Sequence, residues 1–218
     1  MARGPRPPVA VDLLVLAGGR GERLGGRDKA ALVVAGRPLL ERVLDAAPDL
    51  GGRVVVVGDT PVPEGVLRTL EDPPDGGPVA GIAAGLERLD RDRGGAPAPG
   101  WVAVVAVDQP GAAQALRGLH AALPKVPDDV DAVSHVDATG HRQWLLALYR
   151  RAALEDSLAA LGSARHTSVR RLVADLGWWA VGDGGEHVGD VHTWADVERW
   201  ERRLGRGRMA GQPPEKEG

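Results

Sequence analysis

Short apolar runs and helical patterns alternate along the chain. Residues 11–16 (VDLLVL), 53–57 (RVVVV) and 101–107 (WVAVVAV) are short and rich in valine, which favours β-strands buried on both faces of a sheet. Residues 38–47 and 78–89 lie between these runs and have helical patterns, each beginning with a proline, which the first turn of a helix tolerates. This alternation predicts parallel strands joined by right-handed crossovers.

The remaining patterns extend the same arrangement toward the C-terminus. They predict strands at residues 66–70, 131–134 and 144–149, helices at 112–123, 152–161, 168–176 and 194–204, and one or two short strands within 177–190. We therefore expect one α/β domain over residues 11–204, with a mostly parallel central sheet. Residues 1–10 are expected to form a flexible N-terminus, and the polar residues 205–218 a disordered tail.

The composition favours a protein that acts on small molecules. The 218 residues suffice for one well-filled domain, and the net charge of -3 gives no general attraction to nucleic acid or to an anionic membrane. The absence of cysteine excludes a disulfide framework, a thiolate zinc site and a cysteine nucleophile. Residues 1–10 lack the apolar segment of a signal peptide, and no apolar run approaches about 18 residues, so we expect a cytoplasmic protein.

A glycine-rich loop follows the first predicted strand. Residues 16–29 (LAGGRGERLGGRDK) combine glycines, which let backbone N–H groups turn toward an anion, with basic side chains that include Arg23 and Lys29. The loop is not a P-loop, because GxxxxGK(S/T) is absent, and it is not a dinucleotide fingerprint, because Leu24 stands at the third glycine of GxGxxG. It therefore predicts a phosphate-binding loop of another kind; the alternative is a mobile surface loop with solvated arginines.

Lysine usage favours the phosphate-binding interpretation of this loop. Arginine fills nearly every basic position, and only three of the 27 basic residues are lysines: Lys29, Lys125 and Lys216. A lysine kept in the loop suits a compact, rotatable ammonium that meets a phosphate as a point charge. Lys29 is therefore a candidate phosphate ligand.

Asp108 is the second candidate, because it ends the most strand-like run of the chain. In a parallel sheet its position at a carboxyl end would place it near Gly18 and Gly19, where such sheets bind ligands. A carboxylate there suits Mg²⁺, which prefers oxygen ligands. The alternative is that Asp108 caps the next helix, an interpretation that Pro110 supports.

At this point the sequence resembles a known family. The segment LAGGRGERLGGRDKAAL is similar to the signature of the molybdenum cofactor guanylyltransferases and related small nucleotidyltransferases, which reads LAGG, then Arg-Met-Gly, then Asp-Lys. Further motifs follow in the family's order: EDP at residues 71–73 with GPVAG at 77–81, DQP at 108–110, and DVHT at 190–193. The similarity spans residues 11–204.

The resemblance implies a three-layer Rossmann-like nucleotidyltransferase fold and the transfer of GMP from GTP to the phosphate of a molybdopterin-type cofactor, with release of pyrophosphate. The residues expected to contact the nucleotide are Leu16, Ala17, Gly18, Gly19, Lys29, Asp72 and Asp108. Lys29 and Arg23 are expected to stabilise the triphosphate, and Asp108 is also expected to hold Mg²⁺. Asp72 depends on the resemblance alone, since by itself it would be a turn residue. The family's role also implies transient contacts with molybdoenzymes or with other proteins of cofactor synthesis.

Three positions depart from the family pattern. His192 stands where relatives usually carry asparagine, Trp194 where proline is usual, and Trp144 where proline is frequent in a segment thought to face the acceptor. Several alternatives therefore stay open: a relative that uses CTP or another acceptor, and a catalytically degenerate paralogue that binds nucleotide. An unrelated dehydrogenase is disfavoured by the missing GxGxxG.

Overall fold

A seven-stranded sheet forms the centre of the computed structural model, which describes residues 9–18, 28–137, 140–183 and 187–210. The strands of this part of the chain are β1 Val11–Leu16, β2 Val33–Val34, β3 Arg37–Pro38, β4 Gly51–Val57, β5 Leu67–Thr69, β6 Trp101–Ala106, β7 Ala132–Val136, β8 Arg142–Arg150 and β9 Trp178–Asp183. The sheet has the order β5-β4-β1-β6-β8-β7-β9, and β2 and β3 form a separate antiparallel pair.

The sheet is mostly parallel, as the alternating pattern predicts. Strands β5, β4, β1 and β6 pair in parallel, and β7 pairs in parallel with β9. Strand β8 lies between the two groups and runs antiparallel to both of its neighbours. This reversal and the β2–β3 pair are features that the sequence patterns did not predict.

Helices cover both faces of the sheet, which confirms the three-layer architecture. The helices of the described residues are α1 Leu39–Leu44, α2 Ala47–Leu50, α3 Pro78–Arg93, α4 Ala112–Ala122, α5 Arg151–Ala160, α6 Val169–Leu172 and α7 Trp194–Ala210. One apolar cluster joins the sheet to α1, α2, α4 and α7, and a second joins it to α3, α5 and α6. Within β1, Leu13 and Val15 belong to the first cluster and Leu14 and Leu16 to the second, so this strand is buried on both faces as expected.

Several element boundaries differ from the predictions. The helix predicted over residues 38–47 ends at Leu44, and a separate short helix begins at Ala47, because Pro48 lacks an N–H group and its ring would clash with the carbonyl of the preceding turn. The helix predicted over residues 168–176 is one turn, capped by the Ser168 hydroxyl. Helix α7 continues past the predicted boundary at residue 204 to Ala210, and residues 1–8 and 211–218 lie outside the described residues.

A close approach between α3 and β1 fixes the position of the helix. A Cβ atom added to Gly85 would lie 2.6 Å from Cδ1 of Leu14, so a larger residue would push the helix away from the strand. The packing places the first turn of α3, which begins at Pro78, beside the carboxyl end of β1.

A buried ionic network lies at the amino end of β1, opposite the edge of the sheet where α3 begins. Asp12 of β1 is fully buried, and its carboxylate accepts hydrogen bonds from the backbone N–H of Arg53 at 2.9 Å and from the guanidinium groups of Arg93 and Arg151 at 2.5 Å. Arg151 also contacts the exposed carboxylate of Asp90 at 3.1 Å. The network connects β1, β4, α3 and α5.

Candidate active site

A cavity of about 340 Å³ opens at the carboxyl ends of β1, β4 and β6. Its walls include Leu16 and Gly18 from β1 and the loop after it, Val57 from β4, and Lys29 and Asp108. Ala17 lies between the first two and is buried, with its N–H donating to the Val57 carbonyl at 2.8 Å. The cavity therefore lies where open parallel sheets bind ligands, and it brings together four of the residues predicted from sequence.

Lys29 points into this cavity from a short turn that Asp28 holds in place. One Asp28 carboxylate oxygen accepts from the N–H of Ala30, and the other accepts from the Thr60 hydroxyl, both at 2.9 Å. The Lys29 ammonium reaches Oδ2 of Asp108 at 2.9 Å, and the two side chains are 17% and 15% exposed. Two residues far apart in sequence thus form one ion pair at the cavity wall.

The backbone around Asp108 continues the sheet, which fixes the carboxylate at its edge. Val107 donates its N–H to the Leu16 carbonyl at 3.0 Å, directly after the last paired residue of β6. Helix α4 begins after Gly111, and no side chain caps it by a hydrogen bond. The interpretation of Asp108 as a helix cap is therefore wrong, and its side chain lines the cavity and contacts Lys29.

A histidine side chain reaches the same place from the segment before α7. Val191 is fully buried and donates its N–H to the Asp108 carbonyl at 2.8 Å, which sets the neighbouring His192 beside the ion pair. Nδ1 of His192 lies 3.4 Å from Nζ of Lys29, and Nε2 lies 2.8 Å from Oδ2 of Asp190. His192 stood out in the sequence as a departure from the family pattern, but its contacts with Lys29 and Asp190 were not predicted.

Two local features hold this segment against the sheet. Gly111 lies so close to the segment that an added Cβ atom would be 2.3 Å from the carbonyl oxygen of His187. At the start of α7, the Asp196 carboxylate accepts from the N–H groups of His192 at 3.0 Å and Thr193 at 2.8 Å, while the N–H of Asp196 donates to the Thr193 hydroxyl at 3.3 Å. This reciprocal pair is a capping box. It fixes the backbone on both sides of the His192 side chain.

The pKa of Asp196 is lowered from its ordinary value of 3.8. Desolvation of the carboxyl alone would raise this pKa, but the hydrogen bonds from His192 and Thr193 and the charge of Arg199 together outweigh it. The carboxylate is therefore ionised wherever the pH is above the ordinary value, and it stabilises the start of α7.

The N-terminus of α3 faces the cavity as well. Gly77, with a φ of 89°, precedes the helix, and Gly77, Pro78 and Gly81 all line the cavity. The first N–H groups of a helix have no partners within it, and the helix dipole adds a partial positive charge at that end. Together with Lys29, this end of the helix provides an environment that favours phosphate.

Acidic residues form the remaining wall, and their arrangement differs from the expectation. Glu71 and Asp75 line the cavity, whereas Asp72 lines a neighbouring depression of about 470 Å³ together with Glu87 and Arg165. Glu71 and Asp75 were missed, although both belong to the acidic segment that follows β5 at the same edge of the sheet. The role of Asp72 in nucleotide binding stays a prediction. Carboxylate oxygens accept hydrogen bonds, so this wall suits the hydroxyl and N–H donors of a nucleoside.

Two further predicted residues, Gly19 and Arg23, lie outside the described residues, and their roles stay predictions. Trp144, at the predicted acceptor end, packs against the apolar cluster of α3, α5 and α6, and its carbonyl accepts from the Tyr149 hydroxyl at 2.6 Å. The next residue, Leu145, lines the cavity. Trp194 is 49% exposed at the start of α7.

Asp108 and its neighbours fit a metal that keeps water and substrate oxygens as ligands. Within the described ranges, no group of three or more histidine, aspartate or glutamate side chains is arranged to enclose a metal ion. Mg²⁺ is commonly held by one or two carboxylates together with substrate phosphates, and Asp108 provides such a carboxylate beside the phosphate-favouring end of α3.

No helix among the described residues is long and apolar enough to cross a membrane.

Comparison with known proteins finds one family of similar proteins across most of the chain. The family model of a MobA-like NTP transferase domain matches residues 13–179. A molybdenum cofactor guanylyltransferase from Rhodobacter capsulatus is 29% identical over 201 residues, covering 88% of this chain and 95% of that protein. Another, from Rhodopseudomonas palustris, is 36% identical over 120 residues, and the match spans half of this chain and half of that protein, 50% of each.

A cytidylyltransferase and a solved structure extend the comparison. A 2-C-methyl-D-erythritol 4-phosphate cytidylyltransferase from Frankia casuarinae is 36% identical over 159 residues, covering 64% of this chain and 58% of that protein. The crystal structure of molybdopterin-guanine dinucleotide biosynthesis protein A from Archaeoglobus fulgidus superposes with a TM-score of 0.63 at 21% identity, covering 90% of this chain and 100% of that chain. This likeness confirms the expected Rossmann-like nucleotidyltransferase fold.

Proposed function

Because this chain belongs to the MobA-like NTP transferase family and is a nucleotidyltransferase, we propose that it transfers GMP from GTP to the terminal phosphate of a molybdopterin-type cofactor. The observation that carries the proposal is the ion pair of Lys29 and Asp108, which lies at the wall of a cavity that the N-terminus of α3 also faces. A lysine ammonium, the N-terminus of a helix and a carboxylate therefore border one cavity.

The triphosphate lies, in this proposal, between the loop after β1 and the first turn of α3. Gly18 permits close approach of a phosphate, because a Cβ atom added there meets no other atom within 4 Å. Lys29 and the N–H groups at the start of α3 then neutralise phosphate charge, and Arg23 adds to it from the glycine-rich loop. The nucleoside extends toward the acidic wall formed by Glu71 and Asp75.

Asp108 is proposed to hold Mg²⁺, which when bound would neutralise the triphosphate and align its oxygens. With Asp108 holding the cation, the Lys29 ammonium, which now pairs with that carboxylate, would be available to the phosphates.

In the reaction, a terminal phosphate oxygen of the acceptor attacks the α-phosphorus of GTP. A new P–O bond forms, the bond between the α-phosphorus and the bridging oxygen breaks, and pyrophosphate leaves with the electron pair. This transfer needs no covalent intermediate with the protein, because positioning and charge neutralisation supply most of the rate in such reactions. The side chains around the cavity therefore bind and orient rather than react.

Two base preferences have support from relatives. The similarity to two guanylyltransferases supports GTP as the nucleotide of this chain, and the similarity to the Frankia cytidylyltransferase makes CTP the second candidate. The chain spans nearly the whole length of the Rhodobacter relative but about half that of the Rhodopseudomonas one, so both the base and the acceptor belong to the proposal.

The proposal is tested by measuring pyrophosphate release with GTP and CTP side by side, in the presence of Mg²⁺ and molybdopterin-type cofactor. We expect release with GTP that depends on the acceptor and exceeds release with CTP. A preference for CTP would replace the base assignment. Thermal stabilisation by either nucleotide without any pyrophosphate release would instead show the catalytically degenerate paralogue.

A further inference from the structure

A carboxylate lies directly behind the ring of His192. Nε2 of His192 is 2.8 Å from Oδ2 of Asp190, and an ionised carboxylate offers only lone pairs to its neighbours. The neutral tautomer that avoids two opposed lone pairs there carries its hydrogen on Nε2 and its lone pair on Nδ1. That lone pair faces the cavity side, where Lys29 and Asp108 meet.

The ammonium of Lys29 lies beside two electron-pair donors. Its Nζ is 2.9 Å from Oδ2 of Asp108 and 3.4 Å from Nδ1 of His192, and these two donor atoms are 3.9 Å apart. Two ligands bound to one ion at about 2.1 Å each can be at most about 4.2 Å apart. The carboxylate and the imidazole lie within that limit, so one divalent cation could contact both after a small movement brings them to the spacing of adjacent octahedral ligands, about 3 Å. The Lys29 ammonium already lies near both donors.

We propose that Nδ1 of His192 is a ligand of the metal held by Asp108, so that the site favours a nitrogen-accepting divalent cation such as Mn²⁺ over Mg²⁺. The inference rests on the proposed function for the use of that metal in catalysis. Protein metal ligands that are histidines usually donate their other ring N–H to a carboxylate, which orients the ring and raises the basicity of the ligating nitrogen. Asp190 has that position behind His192.

The chemistry of the donor set sets the metal preference. Mg²⁺ demands oxygen ligands and near-ideal octahedral geometry, whereas imidazole nitrogen is a good ligand for transition metals. With one carboxylate oxygen and one imidazole nitrogen from the protein, the remaining positions are left for water and phosphate oxygens. The pair is also rigidly placed, because Val191 binds the Asp108 carbonyl and Asp196 binds the N–H of His192 itself.

The test uses Mn²⁺ with pyrophosphate and no nucleotide, so that any nitrogen seen by the metal comes from the protein. Pulsed electron paramagnetic resonance detects a directly bound imidazole nitrogen through its coupling to Mn²⁺. Titration of free Mn²⁺, alone and in competition with Mg²⁺, gives the two dissociation constants. Wild type is compared with His192→Asn, which keeps a polar side chain at this half-exposed position.

The matched control is His166→Asn, the same chemical change at an exposed histidine in the loop after α5. The backbone of His166 has a φ of 54°, a conformation that asparagine adopts readily. We expect imidazole coupling in wild type and in His166→Asn, and its loss in His192→Asn. The ratio of Mn²⁺ to Mg²⁺ affinity should fall by about tenfold or more in His192→Asn.

Absence of nitrogen coupling in wild type would overturn the proposal, as would coupling or an affinity ratio that survives in His192→Asn. The outcome is independent of the pyrophosphate release assay. Release of pyrophosphate with GTP but no imidazole coupling would overturn the role of His192 alone. Imidazole coupling without turnover would overturn the proposed reaction and leave the metal ligand in place.

Discussion

Each end of the central sheet has a carboxylate paired with a basic side chain, and the two environments differ in how many hydrogen bonds the described residues donate to that carboxylate. At the amino end, Asp12 is fully buried and paired with Arg93 and Arg151, whose side chains are 9% and 8% exposed. At the carboxyl end, Asp108 and Lys29 are 15% and 17% exposed and border a cavity.

The difference lies in the number of donors more than in burial. Both oxygens of Asp12 accept hydrogen bonds, from a backbone N–H and from two guanidinium groups, so the network has no place for a ligand. Among the described residues, Asp108 contacts Lys29 at 2.9 Å and lies 3.9 Å from Nδ1 of His192, and a lysine is a flexible point charge that can exchange one anion for another. A saturated carboxylate stabilises the fold, whereas an unsaturated one beside a cavity can exchange partners with a substrate.

The largest expected effect comes from breaking the buried network. Asp12→Asn would leave Arg93 and Arg151 buried without their shared negative charge, and we expect the free energy of unfolding to fall by about 3–5 kcal/mol. Urea denaturation followed by circular dichroism measures the change. The matched control is Asp90→Asn, which removes an exposed partner of Arg151 and should cost about 1 kcal/mol or less. A stability of Asp12→Asn equal to that of the control would contradict the comparison.

Removing the charge of Asp108, at the carboxyl end of the sheet, should reduce activity strongly and the free energy of unfolding only slightly. We expect Asp108→Asn to lower the rate of pyrophosphate release by roughly 100-fold or more, because a preorganised charged group of the site is lost. The free energy of unfolding should change by only about 1 kcal/mol, because the Lys29 ammonium borders a cavity and can turn its flexible side chain toward water when its partner loses charge. Asp59→Asn is the control, with a side chain that is 91% exposed just after β4. Near-full activity of Asp108→Asn with Mg²⁺ would contradict the proposed role of the Asp108 carboxylate in the reaction.

A smaller effect is expected at the capping box that supports His192. Asp196→Asn should lower the free energy of unfolding by about 1 kcal/mol at pH 7, as loss of a helix cap does. Because the pKa of Asp196 is lowered in the folded protein, its contribution is fully present above the ordinary value of 3.8 and is lost as the pH falls through the folded pKa.

The difference between wild type and Asp196→Asn should therefore shrink as the pH is lowered below about 4. Urea denaturation at pH 7 and at pH 3 measures it. Glu198→Gln, an exposed change within the same helix, should show no such dependence. A difference that stays constant between the two pH values would mean that the carboxylate charge does not stabilise the cap.

Much of the cavity wall at the carboxyl ends of β1, β4 and β6 could be predicted from sequence, because its signals are local. Valine-rich runs identify β1, β4 and β6 without knowledge of their partners, and the end of each run marks the edge of the sheet where Gly18 and Asp108 lie. The rarity of lysine in this arginine-rich chain makes Lys29 a candidate phosphate ligand from sequence alone.

The remaining features depend on contacts between distant segments. An apolar run has no direction, so the antiparallel course of β8 could not be inferred from its composition. His192 and Lys29 are separated by 163 positions and meet only because Val191 binds the backbone of Asp108. Glu71 and Asp75 belong to a turn whose side chains can point toward either of two neighbouring depressions, and sequence does not give that direction.

The reversal at β8 divides the sheet into two halves with different freedom to diverge. Strands β5, β4, β1 and β6 position the ion pair through a continuous parallel ladder. Beyond β8, the carboxyl ends of β7 and β9 lie at the same edge of the sheet as the cavity, because β8 runs antiparallel to both β6 and β7. The direction of a single strand thus separates the four strands that lead to the ion pair from the two strands that precede the segment of Val191 and His192.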